Sequence, residues 1–339
     1  MVKRVLVTGG GGFIGGWMAK YLKNKGYYVR VADKKYHKYM NKDEYCDEFC
    51  LVDLRDPIAT NSVMEGIDEV YHFAADMGGI GYVKTVYARI MRNNSLINRN
   101  IADACIKYDI DKLFFASSAC VYPEYLQSEK GKIVRLEEMQ VLPAQPDSFY
   151  GWEKLFAELL FWAYHKDYGL NIRIARYHNI QGIYTDWYSK RAKAPAALCR
   201  KIAMLPKEGG AIEVWGDGTQ IRTFLDVRDC CEATYRLMNL TDEKYYSLVS
   251  EESIIPPALN IGSQEEITIN DLVDMIADIA NKKVKKIYAL NKPIGVRSRS
   301  ADIKLANELL KWKPKYSLRD TMEWLYKWVE EQVRRYLIW

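Results

Sequence analysis

The run "GGGGFIGG" at Gly9–Gly16 constrains the fold more than any other stretch of this chain. It comes after "KRVLVT", a short β-branched run, and leads into "WMAKYLKNKG", whose apolar residues recur at helical spacing until Gly26. A strand that passes through a glycine turn into a helix leaves backbone N–H groups open at the helix N-terminus, where a pyrophosphate is stabilised. The glycines parse as Gly10-x-Gly12-x-x-Gly15 or as Gly9-x-x-Gly12-x-x-Gly15. Either spacing also occurs in turns that merely connect a strand to a helix, so its meaning depends on the next segments of the chain.

Those segments repeat the same alternation. "YYVRVAD" predicts a second strand ending at Asp33, "EFCLVD" a third ending at Asp53 and "DEVYHFAAD" a fourth ending near Ala75. A long helical segment then carries Asn93, Asn94 and Ala104. The strand "KLFFASS", a helix from about Phe149 to Tyr168 and the strand "IRIAR" complete the series. This order specifies an α/β fold with a doubly wound parallel sheet of the Rossmann type, in which ligands gather at the carboxyl ends of the strands.

Asp33 closes the second strand about 20 residues beyond the glycines, where a carboxylate binds both ribose hydroxyls and repels a 2′-phosphate. NAD is therefore expected rather than NADP. Gly9, Gly12, Phe13, Ile14 and Gly15 are expected around the pyrophosphate, Asp53 and Leu54 at the adenine edge, and Ala74 and Ala75 beside the cofactor. The expected NAD-binding domain covers 1–180, rejoined by about 223–245. A smaller, interleaved substrate domain is expected mainly from 181–339, because the alternation loosens after "RYHNIQG".

Two further stretches carry chemistry. In "FYGWEK", Tyr150 and Lys154 stand four residues apart at a helix start and so share one face. A lysine beside a phenol and a ribose lowers the phenol's pKa from about 10, which lets it act as a base on a hydroxyl. In "FFASSACVYPEY", Ser118 ends a strand and Cys120 stands two residues later. A cysteine at a strand end is most often a small buried residue. Oxidising a sugar hydroxyl, however, acidifies the hydrogens on both neighbouring carbons, and inverting either carbon needs one group on each face. Cys120, two residues beyond Ser118, is near enough to face such a substrate.

Composition removes other classes. The formal charge of +5 is spread along the sequence, too mild for a nucleic-acid partner. No apolar run reaches the roughly 20 residues of a membrane span. Seven irregularly spaced cysteines, with no secretory leader ahead of them, fit a cytoplasmic protein. Cys46 and Cys50 lack a matching Cys or His pair, so no metal is expected.

These residues together resemble the extended short-chain dehydrogenase/reductase family, and within it the nucleotide-sugar epimerases and dehydratases. The resemblance runs along nearly the whole chain through "TGGGGFIG", Asp33, "HFAA", Asn93–Asn94, "SSACVY", "YGWEK", "RYHNIQG", "WGDGTQIRTF", "LNIGS" and "ELLKWKP". It implies a redox triad of Ser118, Tyr150 and Lys154, a nucleotide-sugar substrate and a homodimer. Four stretches, "CDEFCLVDLR", "AADMGGIGYV", "SSACVYPEY" and "AKAPAALCRK", look like the 3,5-epimerase branch acting on a GDP-linked hexose. That narrower resemblance implies Cys120 and Lys193 as the acid/base pair. The branch carries an acidic residue where this chain has Ala192, and its preceding loop is richer in glycine than "GIYTDWYSKR".

Substrate contacts are expected from Met77, Gly78, Gly79, Ser118, Cys120, Asn179, Lys193, Lys201, Gln220, Arg222 and Arg297, with Arg299 as a further guanidinium for the diphosphate. A 4-epimerase, 4,6-dehydratase or decarboxylase acting on another nucleotide sugar remains an alternative. So does a non-catalytic NAD-binding protein, against which the intact triad argues.

Overall fold

The computed structural model describes residues 2–337. Its main sheet has seven parallel strands: β1 (Arg4–Thr8), β2 (Tyr28–Asp33), β3 (Glu48–Leu51), β4 (Glu69–His72), β5 (Lys112–Ser118), β6 (Ile172–Tyr177) and β7 (Leu259–Ile261). They lie in the order β7-β6-β5-β4-β1-β2-β3, so the direction of winding reverses between β1 and β4. A doubly wound sheet binds its ligand in the crevice at that switch point.

The sequence of β1 shows how the layers form. Val5 and Val7 join one core cluster and Leu6 the other, as the two-residue period of a strand requires, and all three are fully buried. On the Val5 side pack the helices α1 (Phe13–Asn24) and, from further along the chain, Val227–Met238. On the Leu6 side pack α2 (Ala88–Lys107) and α3 (Phe149–Tyr168). Ser148 caps α3 by accepting from the Gly151 N–H at 3.3 Å, and Gly169 ends it in the left-handed conformation at φ +73°.

A second core forms where α4 (Ala194–Ala203) meets the helices Ile269–Ile279 and Leu318–Leu337. Beside it runs a four-stranded sheet made of short segments, among them Ile221–Arg222 and Ser298–Ala301. The third and fourth strands end at Leu51 and His72, short of the expected Asp53 and Ala75. Beyond His72 the N–H groups of Phe73 and Ala74 turn to the Thr8 hydroxyl at 3.2 and 3.3 Å. The seventh strand, only three residues long, carries no periodicity from which to read it.

Candidate active site

Gly9 sits at φ +75°, and a Cβ on it would lie 2.7 Å from the Ala74 nitrogen. A Cβ on Gly15 would lie 2.4 Å from the Gly9 carbonyl oxygen. The turn therefore holds its shape only with glycine at both positions. Gly12 is the N-cap of α1 and makes no side-chain cap, so the helix N-terminus offers bare N–H groups to an anion. Asp33 accepts from the Gly11 N–H at 3.0 Å and the Lys35 N–H at 3.2 Å. Burial pushes its carboxyl up, against the pull of Lys35 and those N–H groups. A glycine cradle, an uncapped helix start and a carboxylate at the next strand end fit a dinucleotide. Phe13 and Ile14 pack into the core beside it.

Asp53, expected at the adenine edge, lies just beyond the third strand. Its carboxylate is gripped by Arg55, with Nε at 2.9 Å, and this ion pair holds it below the usual range. Leu54 is buried, and its carbonyl accepts from Thr60 and Asn100. Ala74 and Ala75 are half-buried, and Ala74 lies against Gly9.

At the end of β5 the Ser118 hydroxyl accepts from the Cys120 N–H at 3.2 Å and so fixes the turn that presents the thiol. Cys120, Met77 and Tyr150 share one small apolar cluster. Burial pushes the Tyr150 phenol up, Cys120 and Glu153 push it the same way, and the Ser118 hydroxyl pulls it back. Lys154 donates to the Ala116 carbonyl at 3.0 Å and lies 5.9 Å from the Tyr150 ring centre. The expected lowering of the phenol by Lys154 is thus absent from the chain itself, since burial dominates. The Lys154 ammonium is lowered in turn by burial, with Glu153 and Glu158 opposing.

The thiol has a partner that the sequence did not indicate. Arg299, expected at a diphosphate, donates through Nη1 to Cys120 Sγ at 3.2 Å. Its Nε donates to Gln127 at 2.7 Å, while Nη2 makes no hydrogen bond and stands 4.0 Å from the Asp147 carboxylate. Burial works against the Arg299 charge, and Cys120 and Asp147 outweigh it. Lys193 is the N-cap of α4 and half-buried; burial lowers its pKa while Cys120 raises it. Arg222 lies near the same group: burial and Arg299 lower its pKa to about 9, against Asp147 and Cys120.

The remaining candidates divide. Gly79 donates its N–H to the Arg191 carbonyl at 2.9 Å, and a Cβ on Gly78 would meet Tyr82 at 2.8 Å, so both glycines line the loop facing Lys193's segment. Asn179 takes φ +50° and donates to the Thr223 carbonyl at 2.9 Å. Gln220 donates to the Trp215 carbonyl, leaving its buried oxygen unpartnered. Arg222 already donates to the carbonyls of Ile221, Ile294 and Val296. Lys201 is tied to the Glu213 carbonyl at 2.7 Å, and Arg297 stands 3.9 Å from Asp217. The cluster around the thiol is made by Ser118, Tyr150, Met77 and Arg299, with Lys193 and Arg222 in its electrostatic reach; neither Lys201 nor Arg297 joins it. Among the described residues no group of His, Cys, Asp or Glu is arranged to hold a metal ion.

A glycine-cradled dinucleotide site at the switch point, with tyrosine and lysine on one helix face beside it, defines a nucleotide-dependent oxidoreductase scaffold. The chain belongs to the NAD dependent epimerase/dehydratase family, whose model matches residues 5–249, and NAD is its cofactor. It is 39% identical over 332 residues to the GDP-mannose 3,5-epimerase of Arabidopsis thaliana, covering 98% of this chain and 83% of that one. Among solved structures it is similar to a UDP-glucose 4-epimerase from Thermotoga maritima, with TM-score 0.82 and 24% identity over 97% of this chain and 99% of the other. It is also similar to a UDP-glucuronic acid 4-epimerase from Bacillus cereus, crystallised with UDP-glucuronic acid and NAD, with TM-score 0.78 and 26% identity over the same shares.

Proposed function

We propose that this chain converts GDP-mannose into its C5 and C3,C5 epimers, GDP-L-gulose and GDP-L-galactose. The observation that carries the reading is a thiol held by a guanidinium beside the Tyr150 phenol, with a lysine of lowered pKa in its field. The identity to the Arabidopsis enzyme supports the substrate. NAD supplies a reversible hydride acceptor for the C4 hydrogen. Tyr150 takes and returns the proton of the C4 hydroxyl, oriented with Ser118. The C4 ketone acidifies C3 and C5; Cys120 removes a proton from one face and Lys193 returns one to the other. Burial suits Lys193 to this task, because a lysine of lowered pKa gives up and regains its proton nearer neutral pH.

A 4-epimerase acting on a UDP-sugar is the second reading, favoured by the named structural neighbours. It has no use for the Cys120–Lys193 pair. Incubation with GDP-mannose and with UDP-sugars, with NMR of the product sugars, separates the two; conversion of UDP-sugars alone would overturn the first. We also infer that residues 1–180 with about 223–245 act as the NAD-binding domain and 181–339 mainly as the nucleotide-sugar domain. A homodimer through α2 and α3 is supported by Tyr87, Phe149, Trp152 and Phe156, which are exposed along these helices. Seven unpaired cysteines support a cytoplasmic location, and no helix of the described residues is long and apolar enough to cross a membrane.

A further inference from the structure

Asp76 takes no part in the proposed chemistry, yet its carboxylate is buried, receives three hydrogen-bond donors and is ion-paired with Arg191. Tyr82 OH lies at 2.7 Å, Arg89 Nε and Asn93 Nδ2 at 3.0 Å, and Arg191 Nη2 at 3.1 Å. Burial alone would neutralise such a group; these donors outweigh it and keep the carboxyl below its usual range. These partners come from three parts of the chain. Arg89 and Asn93 belong to α2 and Tyr82 to the glycine loop, while Arg191 stands two residues before Lys193.

Arg191 makes more bonds to the same loop. Its Nη1 donates to the Met77 carbonyl at 3.1 Å, its Nη2 to Tyr82 OH at 2.7 Å, and its guanidinium lies 4.0 Å from the centre of the Tyr82 ring. The Arg191 carbonyl accepts the Gly79 N–H, and a Cβ on Gly79 would come within 2.6 Å of the Ala192 carbonyl oxygen. On its other side Asp76 donates its N–H to Asn94 Oδ1 at 2.6 Å, and Asn94 donates to Glu153 Oε2 at 3.0 Å, one residue before Lys154. A continuous set of hydrogen bonds thus joins the helix of Tyr150 and Lys154 to the segment that ends in Lys193. That segment has neither helix nor strand from 182 to 193, so without an anchor it has many conformations to choose from.

We propose that Asp76 and Arg191 are positioning residues that lock the Lys193 segment onto the Met77–Tyr82 loop and thereby hold the Lys193 ammonium at the sugar. The inference rests on the acid role proposed for Lys193. Its test uses the NAD-loaded enzyme with Arg191→Ala, a substitution at a partly exposed side chain, and Asp76→Asn.

Backbone hydrogen exchange, read by mass spectrometry without any sugar, should quicken at least tenfold in 77–83 and 186–193 together. In D₂O with GDP-mannose, deuterium entry at C3 and C5 should fall about 10²-fold, the cost of misplacing a catalytic group by roughly 1 Å. Transient NADH formation and KM should stay within about threefold. Arg191→Lys keeps the charge without the planar fork and should lose an intermediate amount. Arg191→Ala placed on Lys193→Ala should add no further loss. Unchanged backbone exchange in either segment, or an additive loss in the double variant, overturns the inference alone. Normal deuterium entry by Lys193→Ala overturns the acid role and the inference with it.

Discussion

At the proposed cofactor end of the cleft the groups placed to recognise a dinucleotide are backbone N–H groups and one carboxylate, all between Gly9 and Asp33. At the proposed sugar end they are the side chains of Cys120, Lys193, Arg222 and Arg299, which come from four separate parts of the chain. The first end depends on what is missing, a Cβ at Gly9 and Gly15, and that requirement is local. The second depends on burial and mutual charge, which exist only once the chain has folded. Binding at the first end and carbon-acid chemistry at the second should therefore respond to different substitutions.

The largest separation is expected from Gly15→Ala. Its methyl would press on the Gly9 carbonyl and displace the turn, costing at least two charge-assisted hydrogen bonds to the pyrophosphate. At roughly 1.5–3 kcal/mol each, NAD should bind about 10²–10⁴-fold more weakly. Fluorescence titration of the stripped protein measures this, and NAD retained at normal affinity would show that the cofactor end does not depend on its glycines.

Arg299→Ala should act at the sugar end only. Removing the donor at 3.2 Å from Cys120 Sγ costs one charged hydrogen bond, about 1.5–3 kcal/mol, so solvent exchange at C3 and C5 should slow by about 10–100-fold. NAD affinity should not move. An equal loss in NAD binding would mean that Arg299 supports the whole cleft and not the thiol.

The pH dependence separates the ends again. Burial lowers Lys193 from its ordinary 10.5, so the proton it must return as an acid is lost as pH rises through that lowered value. Exchange at C3 and C5 should fall along an alkaline limb lying below 10.5, whereas NAD affinity should show no matching limb. Absence of the limb from the exchange profile would remove Lys193 as the acid. The smallest effect is expected from Lys201→Ala, because Lys201 is already tied to Glu213. Its kcat/KM should stay within about twofold, the range of a surface ion pair.

The same contrast explains what could be read from the sequence. The strand–glycine–helix opening, Asp33, the end of β5 and the helix Phe149–Tyr168 arise from patterns a few residues long. Tyr150, Lys154, Ser118 and Cys120 were legible because each stands within such a pattern. Arg299 was legible as a cation but not as the partner of the thiol, because its contact with Cys120 forms only when a short strand from the second region reaches the end of β5. Arg297, two residues earlier and chosen for the same reason, faces Asp217 instead. Asp76 and Arg191 give no such signal: one acid beside a glycine loop and one arginine in a charged stretch look ordinary until folding pairs them. Lys201, chosen by type, has its ammonium engaged by Glu213.

The most direct measurement is of Cys120→Ala, loaded with NAD and given GDP-mannose in D₂O. If carbon-acid chemistry and hydride transfer are separate tasks of the two ends, transient NADH should still form, since Ser118, Tyr150 and Lys154 are untouched. Deuterium at C3 and C5, read by mass spectrometry, should fall about 10²–10⁴-fold, the usual worth of a positioned acid–base group. Cys120→Ser should fail nearly as badly, because a hydroxyl ionises far less readily than a thiol. Near-normal deuterium entry by Cys120→Ala would take the thiol out of the chemistry and leave Cys120 a small buried residue at the end of a strand.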